Sequence, residues 1–261
     1  MSAKITRYRI EAPGAPAMRV ALFADLHACA PYMRVPKIEA LVAQTNALGA
    51  DLVLLLGDYA GHVWGGRSLA PEPVARALGG LRAPLGVFGV FGNHDWRDDP
   101  RAKAAGEPTR WHTAFAEAGL TMLCNTARVV ETSRGACTLA GLESQQAYKT
   151  FWRRWAGGAN DLDATLRTCP PGRFTFLMAH EPDIFPDLPD SVGLTVCGHT
   201  HGGQILPFGR PLIVPSRYGA RYAYGHFREG AKQMIVSGGL GYSGLPLRFG
   251  RPPEIVVLEI T

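Results

Sequence analysis

Residues 18–27 read Met-Arg-Val-Ala-Leu-Phe-Ala-Asp-Leu-His. The apolar run Val20–Ala24 has the length and make-up of a buried strand, and it runs straight into a carboxylate and an imidazole. Val35–Leu48 reads as a helix, with Ile38, Leu41, Val42 and Thr45 near helical spacing. Asp51–Leu56 is an unbroken Leu/Val run suited to a sheet covered on both faces, and it ends on Gly57-Asp58. Pro73–Leu78, entered through Pro71, reads as a short helix. Gly86–Phe91 reads as a third strand, ending on Gly92-Asn93-His94-Asp95. This β-α-β-α-β opening predicts an α/β fold with parallel strands joined by right-handed crossovers.

Beyond it the pattern changes. Thr109–Ala118 is helical in spacing. Ala127–Thr132 and Ala136–Leu142 form a hairpin pattern turning at Ser133-Arg134-Gly135. Asn160 or Asp161 is placed to cap a helix over Leu162–Arg167. Phe174–Ala179 and Leu194–Cys197 read as buried strands, followed by His180-Glu181 and Gly198-His199-Thr200-His201. Gln204–Leu206, Tyr222–Arg228, Lys232–Ser237 and Glu254–Ile260 are strand-like, and Trp96–Pro108 is a charged loop. No internal repeat or linker divides the chain, so 1–261 is read as one domain of two sheets packed face to face, with helices outside. Gln145–Asn160 holds Phe151, Trp152 and Trp155 beside Lys149, Arg153 and Arg154. It is either a helix with an aromatic core stripe or an amphipathic lid or membrane-facing patch.

Composition sets the class. The 261 residues are 46% hydrophobic and 19% charged, as in ordinary globular proteins, and carry a net charge of +5. That excess fits a solvated basic surface, a phosphate-rich substrate or an anionic membrane surface. No like-charge run or aromatic–basic interleaving points to nucleic acid. The five cysteines include no C-x-x-C pair, which favours a reducing compartment. No stretch reaches the ~18 apolar residues of a membrane span. The expectation is a soluble cytoplasmic protein, with contact at the periphery of the inner membrane left open; oligomeric state is not legible.

Asp25, His27, Asp58, Asn93, His180, His199 and His201 thus each follow an apolar, strand-like run. In α/β sheets, ligands bind beyond the carboxyl ends of the strands, so the five blocks can converge. Residues i and i+2 of an extended chain point the same way, which would let Asp25 and His27 share one metal and His199 and His201 face one site, with Thr200 turned away. Gly57, Gly92 and Gly198 each precede a ligand, where a missing side chain permits a tight turn or close approach. Such oxygen and imidazole donors can hold two divalent metals about 3.5–4 Å apart, which generate a hydroxide and clamp a phosphoryl group. Cys29 is a soft ligand that this set does not need. Among the other histidines, His62 reads as a substrate contact or a surface residue, His226 as a cleft or strand residue, and His112 as structural.

The ordered blocks DLH, GD, GNHD, AHE and GHTH resemble those of the calcineurin-like metallophosphoesterase superfamily, from about residue 19 to 260. The longer strings Ala179–Asp183, Gly198–Gln204 and Gly239–Phe249 are similar to its YkuE/YaeI-like bacterial branch. That branch often begins with a membrane or export segment, which is not expected from the first residues of this sequence, and its first block commonly reads DLHLG where this chain has Asp25-Leu26-His27-Ala28-Cys29. The resemblance implies a four-layer α/β/β/α sandwich of two mixed sheets. It implies Asp25, His27 and His201 on a first metal, Asn93, His180 and His199 on a second, and Asp58 bridging both. Nitrogen-rich donors favour a transition metal; the family's habit is Mn, with Fe or Zn open. It also implies catalytic roles for Asp58, Asn93 and His94: attack by a metal-bridging hydroxide, Asn93 on the non-bridging oxygens, and His94 donating to the leaving oxygen. Asp95 either orients His94 or is a plain loop carboxylate. Arg248 either binds a second phosphate or head group or is a surface arginine. The substrate expected is a phosphodiester or pyrophosphate, a phosphorylated small molecule or a lipid such as a nucleotide-sugar lipid. The alternatives are a non-catalytic metal-binding scaffold of the same fold and a metallohydrolase for amides or lactones, whose His-x-His-x-Asp-His block is absent.

Overall fold

The structure is a computed structural model and describes residues 2–149 and 157–261. Two six-stranded mixed sheets form its centre. The first runs in the order Lys4–Ile10, Glu254–Ile260, Met18–Phe23, Leu52–Leu55, Val87–Gly89, Thr121–Met122. All neighbours are parallel except Glu254–Ile260 against Met18–Phe23. The second runs Gly225–Glu229, Lys232–Val236, Val192–Cys197, Thr175–Ala179, Gly135–Leu142, Thr126–Thr132. Its three inner pairings are parallel, and a hairpin closes each edge.

Side chains alternate across a strand, and here both sets are apolar because both faces are covered. Val20, Leu22, Leu52 and Leu54 meet Leu139, Phe176, Met178 and Val196 between the sheets. Ala21, Phe23, Val53 and Leu55 face the other way, into the helices Val35–Asn46, Pro71–Leu78 and Arg110–Glu117 through Ile38, Leu41, Val74, Leu78 and Phe115. On the far side, Leu177, Met234 and Val236 pack beneath Ile184, Phe185, Leu162 and Leu166. The layers are α/β/β/α, as the resemblance implied. Among the described residues no helix is long and apolar enough to cross a membrane.

Several local expectations are corrected. Lys4–Ile10 is a strand that sequence reading left unassigned; it is an edge strand in which only Ile10 is buried, so its apolar signal is weak. Trp96–Pro108 is not a loop throughout. The short helices Asn93–Arg97 and Pro100–Ala105 span much of it, the second capped by Asp99, which accepts from Ala102 N–H at 3.2 Å. Gln204–Leu206 is no strand: a 3-10 turn over His201–Gly203 precedes it, and Ile205 alone makes bridges, to Phe249 and Gly250. Asp161, not Asn160, caps Leu162–Arg167, accepting from Ala164 N–H at 2.8 Å. Residues 145–148 form a turn, whereas 150–156, with Phe151, Trp152 and Trp155, lie outside the described residues.

Phe176 is fully buried between the sheets. Phe176→Ala should lower the unfolding free energy by about 3–5 kcal/mol, read from urea denaturation. A loss below about 1 kcal/mol would contradict this inter-sheet packing.

Candidate metal centre

The sequence blocks do not converge as extended chain. Asp25, His27, Asp58, His199 and His201 all have left-handed backbones, at φ of 52°, 46°, 57°, 71° and 53°. That conformation is uncommon outside glycine, and Asp and His are among the residues that tolerate it best. Each left-handed residue swings the chain so that alternate side chains fall on one side of a tight turn. Thr200 does turn away, donating its hydroxyl to Ala223 O at 2.6 Å.

Hydrogen bonds hold these turns in place. Asp25 N–H donates to Gly57 O at 3.1 Å and His27 N–H to Asp58 O at 2.9 Å, joining the first block to the second. Asp95 joins the second to the third. Its carboxylate accepts from the N–H groups of Asp58 at 3.0 Å and of Tyr59, Ala60 and Gly92 at 2.8 Å each. Those bonds occupy its oxygens, so Asp95 braces the backbone instead of orienting the His94 ring. The glycines are required by contact. A Cβ on Gly57 would lie 2.9 Å from His180 Nδ1, and one on Gly198 would lie 2.6 Å from Asp25 Oδ2. A Cβ on Gly92 would overlap Asp58 Oδ1. Gly239, not singled out from sequence, is as tight against Asp25, at 2.6 Å from its Cβ.

The result is one buried cluster of all seven side chains. Donor atoms of Asp25, His27 and His201 lie within 4.8 Å of one another, as do those of Asp58, His180 and His199. Asp58 Oδ2 stands between the two groups, 3.6 Å from His27 Nε2 and 3.2 Å from His180 Nε2. Its Oδ1 accepts from His94 N–H at 2.8 Å. Asn93 borders the second group. With its amide turned over it donates to His199 Nδ1 at 2.8 Å and accepts from His94 N–H at 3.1 Å; in the other orientation its oxygen faces that same ring nitrogen.

Backbone carbonyls select the tautomers. His27 Nδ1 lies 3.0 Å from Ala60 O, His180 Nδ1 2.7 Å from Leu56 O, and His199 Nε2 2.8 Å from Pro215 O. A ring nitrogen facing a carbonyl carries a proton, which in a neutral ring leaves the opposite nitrogen a lone pair turned into the cluster. Burial alone would lower the His180 pKa, but the Asp58 carboxylate beside it holds it well above the usual range, so that ring must give up its second proton to offer a lone pair. There the inward atoms crowd: His27 Nε2 and His201 Nε2 are 3.0 Å apart, and His199 Nδ1 and His180 Nε2 3.3 Å. Asp25 Oδ2 is buried with no hydrogen-bond partner. Ring nitrogens that converge on an orphaned carboxylate oxygen are what a cation site presents, so the donor set fits two divalent metals. Burial holds His27 down to about 4 and His199 to about 3, so both rings are neutral at pH 7. Burial pushes the Asp25 carboxyl up to about 7, with the Asp58 charge adding to the rise.

The remaining site residues divide. His94 lines a cleft of about 450 Å³ beside the cluster, together with Asp58, Asn93, His199 and His201. His62 stacks on the His94 ring, centroids 4.3 Å apart. Arg248 is put to neither expected use. Its guanidinium donates to Gly241 O at 2.7 Å and Gly238 O at 2.8 Å and lies 2.9 Å from His201 Nδ1. It therefore orients His201 and ties the 238–251 loop down. His226 lies at the sheet edge, 2.9 Å from Gln233 Oε1. His112 is structural, between Thr109 N–H at 3.1 Å and Glu143 Oε1 at 3.0 Å. Cys29 pairs with Ser68 in a two-residue ladder and joins neither donor group. Arg97 was missed. It lines the cleft because the helix Asn93–Arg97 sets it one turn from Asn93, a spacing that carries the signal only once that helix is known.

The model of calcineurin-like phosphoesterases matches residues 18–203. The chain belongs to the calcineurin-like phosphoesterase family. It is 30% identical over 253 residues to the Bacillus subtilis (strain 168) metallophosphoesterase YkuE, covering 93% of this chain and 78% of that one. It is 29% identical over 248 residues to the Escherichia coli (strain K12) phosphodiesterase YaeI, covering 93% and 82%. The crystal structure of the Bacillus subtilis calcineurin-like phosphoesterase YfkN shares the fold, with TM-score 0.50, 10% identity, and 86% and 82% of the two chains covered. The chain is thus a metal-dependent phosphoric ester hydrolase.

Metal uptake should release protons. In the metal-free fold Asp25 keeps its proton up to about pH 7, far above its ordinary range. Folding therefore favours the protonated form between the two values, and metal-free stability falls as pH rises through that window. A cation needs the carboxylate, so apparent metal affinity should rise from pH 6 to 8. Calorimetry in buffers of different ionisation enthalpy measures the release. Affinity independent of pH, with no protons released, would contradict this description of Asp25.

Proposed function

We propose that the chain hydrolyses phosphodiester or pyrophosphate bonds carrying an apolar, lipid-like substituent, and that 1–261 works as one catalytic domain. The observation that carries this is the mixed lining of the cleft, where Asp58, Asn93, His94, Arg97, His199 and His201 are joined by Ile205, Leu212, Ile213 and Leu245. The polar and charged groups suit a phosphoryl group and the apolar side chains an alkyl chain. Strands from both chain ends lie side by side in the first sheet, which supports a single unit.

Asp25, His27 and His201 would hold one cation and Asn93, His180 and His199 the other, with Asp58 shared. When bound, two such cations supply Lewis acidity and acidify water toward neutral pH. Four imidazoles favour a first-row transition metal over Mg or Ca. Manganese is our assignment, with iron and zinc as the competitors. Asn93 and Arg97 share a helix face and hold the non-bridging oxygens by hydrogen bonds and charge. His94 gives its proton to the leaving oxygen. Burial holds its pKa well below the usual range in the free protein, with Arg97 adding to the effect. A bound phosphate raises it again, so the group is charged only where it is used. We place the protein in a reducing, cytoplasmic setting, a reading that the free state of the cysteines supports.

Two variants separate the roles. Asp58→Asn should reduce turnover of a bis-aryl phosphodiester by about 100-fold or more, through loss of metal. Unchanged metal-dependent turnover would refute the shared carboxylate. His94→Ala should retain the metals yet lose about 10²–10⁴-fold in kcat; wild-type kcat would remove His94 from the chemistry. The apolar wall is tested with aryl alkyl phosphodiesters of increasing chain length. From methyl to octyl, kcat/KM should rise about tenfold or more, on a scale of ~0.8 kcal/mol per fully buried methylene. A flat or falling series would argue for a polar substrate.

A further inference from the structure

Every large apolar side chain standing exposed among the described residues lies in one of three loops. Trp64 lies in the first, Phe208, Leu212 and Ile213 in the second, and Leu245, Leu247 and Phe249 in the third. The loops are joined by backbone hydrogen bonds. Trp64 N–H donates to Gly244 O at 2.6 Å, Leu206 N–H to Phe249 O at 2.8 Å, and Phe249 N–H to Gln204 O at 3.0 Å. Leu212, Ile213 and Leu245 also wall the cleft, so the exposed patch is continuous with its mouth.

Charge follows the same boundary. Residues 59–70, 202–228 and 238–253 contain no Asp or Glu; of their arginines, Arg217 and Arg221 pair with Asp187 and Glu229, and Arg248 is turned inward onto Gly238 O and Gly241 O. Arg67 and Arg210 are exposed beside Trp64 and Phe208. Phe208 is the extreme case: its ring is fully exposed, and its backbone is left-handed at φ 55°. An aromatic residue in that conformation is a genuine outlier, and among the described residues no packing compensates for it. Contiguous exposed apolar surface marks an interaction site. The partner it fits must accept aliphatic and aromatic side chains and carry negative charge around them, which is the chemistry of an anionic phospholipid surface.

We propose that these three loops dock the protein on anionic phospholipid bilayers, with the mouth of the metal cleft facing the lipid. Insertion of Trp64, Phe208 and Leu247 supplies the apolar contact, and Arg67 and Arg210 meet the head groups. The inference rests on the proposed function only for what the orientation achieves: a lipid-like substrate reaches the cleft without leaving the membrane. Docking itself is independent of turnover.

Co-sedimentation of the metal-loaded protein with phosphatidylglycerol/phosphatidylcholine vesicles tests it. Wild type should pellet with them and stay in solution with phosphatidylcholine alone. The triple variant Trp64→Ser, Phe208→Ser, Leu247→Ser should lose binding by roughly tenfold or more while hydrolysing a soluble bis-aryl phosphodiester at the wild-type rate. Arg67→Glu with Arg210→Glu leaves the apolar side chains in place and should also weaken binding, in a salt-dependent way. Wild type remaining in the supernatant, or the triple variant pelleting like wild type, would overturn the proposal. So would a wild-type dimer in sedimentation equilibrium that the triple variant dissolves without any vesicle binding, since a second copy would then cover the patch. Loss of diester hydrolysis with vesicle binding intact would instead count against the proposed function alone.

Discussion

Polar donor groups packed out of water set the terms for this molecule. The carboxylates of Asp25 and Asp58 and the inward nitrogens of four histidines meet in a buried cluster, with Asp25 Oδ2 unpaired. Water cannot screen them there, and burial, with the Asp58 charge adding to it, pushes the Asp25 carboxyl up to about 7. Positive charge placed among the donors turns that repulsion into binding. The cluster is therefore a demand for cations, and much of the surrounding structure serves to keep it from relaxing.

Rigidity comes from the backbone around it. Left-handed turns at Asp25, His27, Asp58, His199 and His201 are costly in isolation. They persist because the loops are hydrogen-bonded to one another, because Asp95 gathers four N–H groups from two of them, and because glycines allow contacts that no side chain would permit. Carbonyls of Leu56, Ala60 and Pro215 then fix three rings by their far nitrogens, while Arg248 faces the fourth. The parallel strands of both sheets deliver these loops to one end of the sandwich, which is where α/β sheets place their ligands. The proposed substrate, with a charged head and an apolar tail, would draw on both the donor cluster and the apolar side chains of the cleft beside it.

The residues of the buried cluster were legible in the sequence because each sits just past a buried strand, and buried strands announce themselves as unbroken apolar runs. The spacing glycines were legible for the same reason. Their geometric premise was wrong: the i, i+2 pairs converge through left-handed turns, which no hydrophobic pattern encodes. Lys4–Ile10 escaped notice because its strand character comes from pairing with Glu254–Ile260 at the other end of the chain. Asp95 and Arg248 were misassigned because their partners are backbone groups brought close only by folding. Arg97 stayed hidden until a five-residue helix, too short to show a period, set it beside Asn93.

The central claim concerns occupancy, and counting ions tests it most directly. Protein stripped of metal, reloaded with excess manganese and freed of unbound ion should contain two ions per chain by inductively coupled plasma mass spectrometry. A reproducible value of one or fewer, with iron and zinc giving no more, would contradict a paired-cation centre at this cluster.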